Sequence, residues 1–221
     1  MVLGLVMFTL TAVYSRGYEA AVGFAIGVSI ALAVILVVLI YRTYTAELFA
    51  AQSLAASARI LSGIVLLLAA SWSALGRTWG GYSMADVRTH LEELTEPTAL
   101  DAGVVPWAGS RTTVPAFKMF FSEPQLALVG TFALGAMIVT LIWAWSAAST
   151  AFAWSSYLGF QHGATTKKRV IARASKFEAL DTRFAWSSLG VTVLFATVIF
   201  GFPWLMTMSF TGELSQWLFG Q

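Results

Sequence analysis

The feature that most constrains this chain is where its charges are missing. No Asp, Glu, Lys or Arg occurs from Ala20 to Tyr41, Ile60 to Gly76, Pro124 to Thr166 or Phe184 to Gly212. A helix needs about 20 apolar residues to cross roughly 30 Å of hydrocarbon. The first, third and fourth gaps are long enough. The second is slightly short, and Arg59 and Arg77 at its ends are expected to extend their cationic heads outward to water. Four spans are therefore expected, near residues 19–41, 58–77, 125–150 and 187–210. Membrane β-strands alternate apolar and polar residues over about ten positions. The run from Ala25 to Ile40 shows no such alternation. The expected fold is an all-α, polytopic integral membrane helical bundle.

Composition agrees and excludes other classes. The chain is 58% hydrophobic and 11% charged, against roughly 45–50% and 25% in soluble domains. That rules out a disordered chain and an ordinary soluble enzyme. The net charge of +2 lacks the clustered basic face that nucleic acid requires. There is no cysteine, which removes disulfides, thiolate nucleophiles, iron–sulfur ligation and Cys-based zinc sites.

The remaining segments follow from the gaps. Residues 1–18 begin with an apolar stretch, Met1 to Tyr14, that is short for a span and has no basic n-region. An interfacial helix, or one packed on its neighbours, is expected, with a fifth span as the alternative. Residues 19–76 carry the first two spans. No Gly or Pro interrupts the chain from Val28 to Ser62, so the turn between those spans is expected near Ala56–Arg59. Residues 77–124 form an acidic extramembrane segment. Within it, Ser83 is a candidate N-cap, with Asp86 in the first turn of a short amphipathic helix. Residues 125–160 are expected as one long helix extending past the membrane. Residues 161–183 are expected as a basic hairpin, and 184–221 hold the last span and a tail. Basic residues favour the inner face. Lys167, Lys168, Arg169, Arg173, Lys176 and Arg183 therefore place 161–183 on the cytoplasmic side, or the equivalent side of an organellar inner membrane, with 77–124 opposite.

Function inside a bilayer usually shows as an ionisable residue within a span, and the charge gaps leave the expected spans without one. His90 and His162 fall on opposite sides of the membrane in this topology, which argues against a shared haem. His90 with Glu93 or Asp86 reads as a solvated acidic face. No cofactor is expected, and bound lipids are. Small residues that let helices approach closely occur at Gly23, Gly27, Gly130, Gly135, Ala147 and Ala151. Trp72, Trp145, Trp154, Trp186 and Trp204 are expected as interfacial aromatics. FAWSS occurs twice, at 152–156 and 184–188, and depth preference of Trp and Ser explains the echo. No nucleotide-loop, serine-elbow or zinc-helix motif occurs.

These features favour a non-catalytic membrane subunit of a larger complex, of the energy-transducing or secretion and conjugation type. It would act in assembly, docking or support of a lipid or quinone site, with lipids and other membrane subunits as partners and no nucleic acid. A homo-oligomeric pore is the alternative, lined by Thr140, Ser146, Ser149, Thr150, Thr192 and Thr197. An enzyme acting on a lipid or quinone ranks third.

Overall fold

The computed structural model describes residues 2–48, 51–76, 82–94, 115, 118–119, 121–161 and 168–210. Among them are six helices: α1 (Val2–Thr45), α2 (Ala51–Leu75), α3 (Met84–Glu93), α4 (Pro124–Gln161), α5 (Lys168–Glu178) and α6 (Thr182–Phe210). Four stretches are long and apolar enough to cross a membrane: Thr9–Thr45, Ala51–Leu75, Pro124–Gln161 and Thr182–Leu205. The chain is an all-α, multi-pass membrane protein. Sequences as apolar as these satisfy their backbone within the helix, which is what a hydrocarbon solvent demands.

Three boundaries differ from expectation. Residues 2–18 are not a separate element. They open the 44-residue α1, which is kinked at Gly17, where φ is −119° and ψ 16°. Glycine is a poor helix former, which favours a break in the helix at this point. The turn after α1 lies near Glu47, well before Ala56. Glu47 adopts a left-handed φ of 55°. Its N–H donates to Tyr44 O at 3.1 Å, and Leu48 N–H donates to Thr43 O at 3.2 Å. That pairing is a Schellman stop, built without the glycine that usually announces one. Finally, the basic segment folds partly as a helix, α5. Its Val170, Ala174 and Phe177 follow an i, i+4, i+7 spacing, and Ala174 and Phe177 are buried.

The chain divides into two compact units. The first comprises residues 1–23, 70–138 and 199–221. There Gly130 of α4 accepts α1 at close range: a Cβ at this position would meet Thr11 Cγ2 at 2.7 Å and Val87 Cγ1 of α3 at 3.3 Å. Thr11 and Thr131 hydroxyls lie 3.3 Å apart. Phe132 and Phe202 stack with centroids 4.7 Å apart. Helix α3 starts at a capping box, with Ser83 and Asp86 bonded reciprocally, and buries Met84, Val87 and Leu91. Arg88 bonds Glu92 at 2.8 Å and lies 4.0 Å from Glu19 of α1.

The second unit comprises residues 24–69 and 139–198. Here α2 and α4 touch most closely at Gly63, where a Cβ would lie 2.8 Å from Ala147 Cβ. At the basic end, Trp154 of α4 is fully enclosed. Its indole N–H donates to Thr43 of α1 at 3.1 Å, and its ring stacks on Phe177 of α5 at 5.8 Å. Tyr157 meets the same Phe177 at 4.8 Å.

Candidate functional site

The second unit contains a charge inside a span. Arg59 lies about 12 Å past the first residue of α2, at 1.5 Å per residue, and within the spanning stretch Ala51–Leu75. The expectation that it extends outward to water is overturned. Its guanidinium carbon sits 3.4 Å from the centroid of the Trp143 ring and 5.3 Å from that of Phe184. One terminal nitrogen donates to Ser146 Oγ at 2.8 Å. Two aromatic faces and a hydroxyl therefore stand in for part of the water around a head group that is half-buried. A cation over an indole gains about 1–2 kcal/mol between the exposed and the desolvated limits. The charge gaps of the sequence hid this, because a gap marks where charges stop and not where a helix enters the membrane.

Hydroxyls continue the site across three helices. Trp143 Nε1–H donates to Ser62 Oγ at 2.7 Å. Thr192 Oγ1 donates to Ser188 O at 2.7 Å. Ser62 Oγ and Thr192 Oγ1 are joined by a hydrogen bond that either hydroxyl can donate, and Ser62 Oγ also lies 3.4 Å from the same Ser188 O. The network therefore runs from the Trp143 indole through the Ser62 and Thr192 hydroxyls to the Ser188 carbonyl. Buried hydroxyls linked in this way hold α2, α4 and α6 in one register. Phe195 closes the cluster, 6.5 Å from Trp143.

Two features of this cluster are unbalanced. Arg59 Nε is buried without a hydrogen-bond partner, and no carboxylate of the described residues forms a salt bridge with its guanidinium. The Ser146 hydroxyl accepts from Arg59 and has no acceptor of its own among the described residues. On its other side Ser146 borders a pocket of about 160 Å³, lined also by Ser149, Thr150, Ala153, Lys176 and Leu180. Ser149 and Thr150 donate to carbonyls of their own helix, Trp145 O at 2.9 Å and Ser146 O at 3.1 Å. Ser146 and Lys176 are the remaining polar residues of the lining. A second cavity, about 270 Å³, is an apolar groove between α1 and α4 with Arg42 on its wall.

The residues singled out from sequence are distributed unevenly. Gly23 and Gly27 have open space where a Cβ would stand, and so does Gly135. The close approaches use Gly130 and the pair Gly63–Ala147 instead. Ala147 and Ala151 are both buried. Gly63 was missed because no second glycine at four-residue spacing accompanies it. Trp72, Trp145, Trp186 and Trp204 are exposed. Trp154 is not such an anchor: it is 1% exposed, because Thr43 and Phe177 cover it. Lys168, Arg169, Arg173 and Lys176 lie on the exposed face of α5, and Arg183 is exposed in the first turn of α6. Lys167 and His162 lie outside the described residues. His90 Nδ1 stands 3.6 Å from Glu93, with Nε2 buried and unpartnered. The suggested pore residues occupy several environments. Thr140 is buried, Thr192 belongs to the Ser62 cluster, Ser146, Ser149 and Thr150 border the pocket, and Thr197 is exposed. No protein-family model, curated protein or solved structure matches the chain.

Proposed function

We propose that this chain is a non-catalytic membrane subunit whose outer helices dock against other subunits of a larger assembly. The observation that carries this reading is the unequal cover of its spans. In the most apolar stretch of each, α2 is 56% buried and α4 44%, against 28% for α1 and 17% for α6. In these stretches α2 and α4 are the better covered, while α1 and α6 leave most of their surface to be covered by lipid or protein. The open faces of Gly23 and Gly27 on α1 suit close approach by another helix. The polar residues that do meet within a span hold helices in register, as a scaffold requires.

The test is photocrosslinking in the native membrane from Leu194 of α6, which is exposed, with Ala147 of α4, which is buried, as the comparison. The expected result is a discrete protein adduct from Leu194 and none from Ala147. A stoichiometric complex in mild detergent should contain the same adduct partner. Lipid adducts only, together with a monomer in mild detergent, would overturn the proposal.

A further inference from the structure

We infer that the pocket bordered by Ser146 and Lys176 binds a phosphate oxyanion, with Arg59 as the charge behind it. This site lies wholly within the second unit, and it stands whether or not the chain has protein partners.

Three observations converge on an anion. The first is the cation itself. A charge desolvated inside a span is costly unless something compensates it, and Arg59 has aromatic faces and a hydroxyl around it but no carboxylate. The second is the state of Ser146. Its oxygen accepts from Arg59 at 2.8 Å, and that bond aims the positive head at the hydroxyl. Its own proton has no acceptor among the described residues, and the side chain borders the pocket. Hydrogen bonds polarise one another along a chain, so the Ser146 O–H is a stronger donor than a solitary serine. The third is Lys176, which adds a cationic side chain to the lining from a different helix. The pocket therefore offers a polarised hydroxyl and an ammonium, and none of its six lining residues is acidic. Such a donor set selects a phosphate over a cation or a neutral amide. The volume of about 160 Å³ suits a head group rather than a whole lipid.

A phosphodiester on an anionic lipid and free inorganic phosphate share this chemistry. The lipid source is favoured by the setting. Lys176 belongs to an amphipathic helix whose buried face holds Ala174 and Phe177 and whose exposed face holds Arg169 and Arg173, a pattern suited to an anionic membrane surface.

The experiment uses the full chain in detergent micelles, with thermal unfolding and native mass spectrometry as readouts. The probes are phosphatidylglycerol, phosphatidylcholine with the same acyl chains, and inorganic phosphate. Phosphatidylglycerol is expected to be retained and to raise the unfolding midpoint more than phosphatidylcholine does. Lys176→Gln is expected to reduce that preference about tenfold, the effect of losing one charge-assisted hydrogen bond. Ser146→Ala should reduce it as well. Lys168→Gln removes the same charge from the same helix and should leave most of the preference intact. Arg59→Gln risks misfolding, and Ser149→Leu, which fills the pocket from an exposed position, supplies an independent loss of binding. Stabilisation by inorganic phosphate alone, abolished by Lys176→Gln, supports the site and assigns it to the free anion. Equal effects of Lys176→Gln and Lys168→Gln, or no preference for phosphatidylglycerol, would overturn it.

Discussion

The same five residues, FAWSS, occur at 152–156 in α4 and at 184–188 in α6, and the fold uses them in opposite ways. In both copies the alanine is buried. The next residue is not treated alike: Trp154 is 1% exposed and Trp186 is 73% exposed. The difference lies in how many neighbours each helix has. Around the first copy, Ala151, Ala153, Trp154 and Leu158 are all buried, so α4 is covered on several sides. Around the second, Ala185 and Ser188 are buried, while Trp186, Ser187, Leu189 and Gly190 are exposed. Helix α6 thus buries one narrow strip. A short motif fixes the order of side chains around a helix, and the neighbours decide which of them reach lipid.

The largest expected effect falls on the covered copy. Trp154→Ala should cost about 3–5 kcal/mol, the range for emptying an aromatic site in a core. It also removes the donor to the buried Thr43 hydroxyl, which keeps only its own bond to Leu39 O at 2.7 Å, and uncovers Phe177. Chemical unfolding in detergent should show the loss directly. Trp154→Phe should recover part of it by restoring the stack without the hydrogen bond. A Trp154→Ala protein as stable as the wild type would break the contrast between the two helices.

The next test uses one substitution at two glycines. Gly63→Ala places a Cβ 2.8 Å from that of Ala147, and neither alanine has a flexible end to yield. Overpacking of this kind costs about 1–3 kcal/mol. Gly190 of α6 has nothing within 4 Å of a new Cβ. There Gly190→Ala should stabilise the protein by about 0.5–1 kcal/mol, because alanine loses less backbone freedom on entering a helix. Opposite signs in the same denaturation assay sharpen the comparison, and equal signs contradict it.

These contrasts also mark what could be read from the sequence. Spans were legible because hydrocarbon excludes charge over lengths that a run of letters records. The capping box at Ser83 and Asp86 was legible because its partners are three residues apart. Arg59 was not, since nothing in residues 51–75 tells that Trp143 and Ser146, more than 80 positions away, will stand beside it. Trp154 failed for the same reason: Thr43 and Phe177 come from other helices. The stop at Glu47 carried no glycine to announce it. Helix α5 did leave a signal, the spacing of Val170, Ala174 and Phe177, which the density of basic residues masked. Local chemistry was recoverable, and long-range enclosure was not.

The smallest expected effect is at Trp186. With its ring mostly uncovered by the chain, Trp186→Ala should change stability by no more than about 0.5 kcal/mol in detergent, as exposed substitutions generally do. Location is separable from stability by fluorescence. In bilayers containing brominated lipid, Trp186→Phe should remove quenchable emission, and Trp154→Phe should remove emission that the lipid does not reach. The comparison becomes most informative in the native membrane. If the outer face of α6 docks against another subunit, Trp186 should be shielded from brominated lipid there, although the isolated chain leaves it open. Shielding that disappears on purification would give that face a protein neighbour. Equal quenching in both settings would leave it to lipid alone.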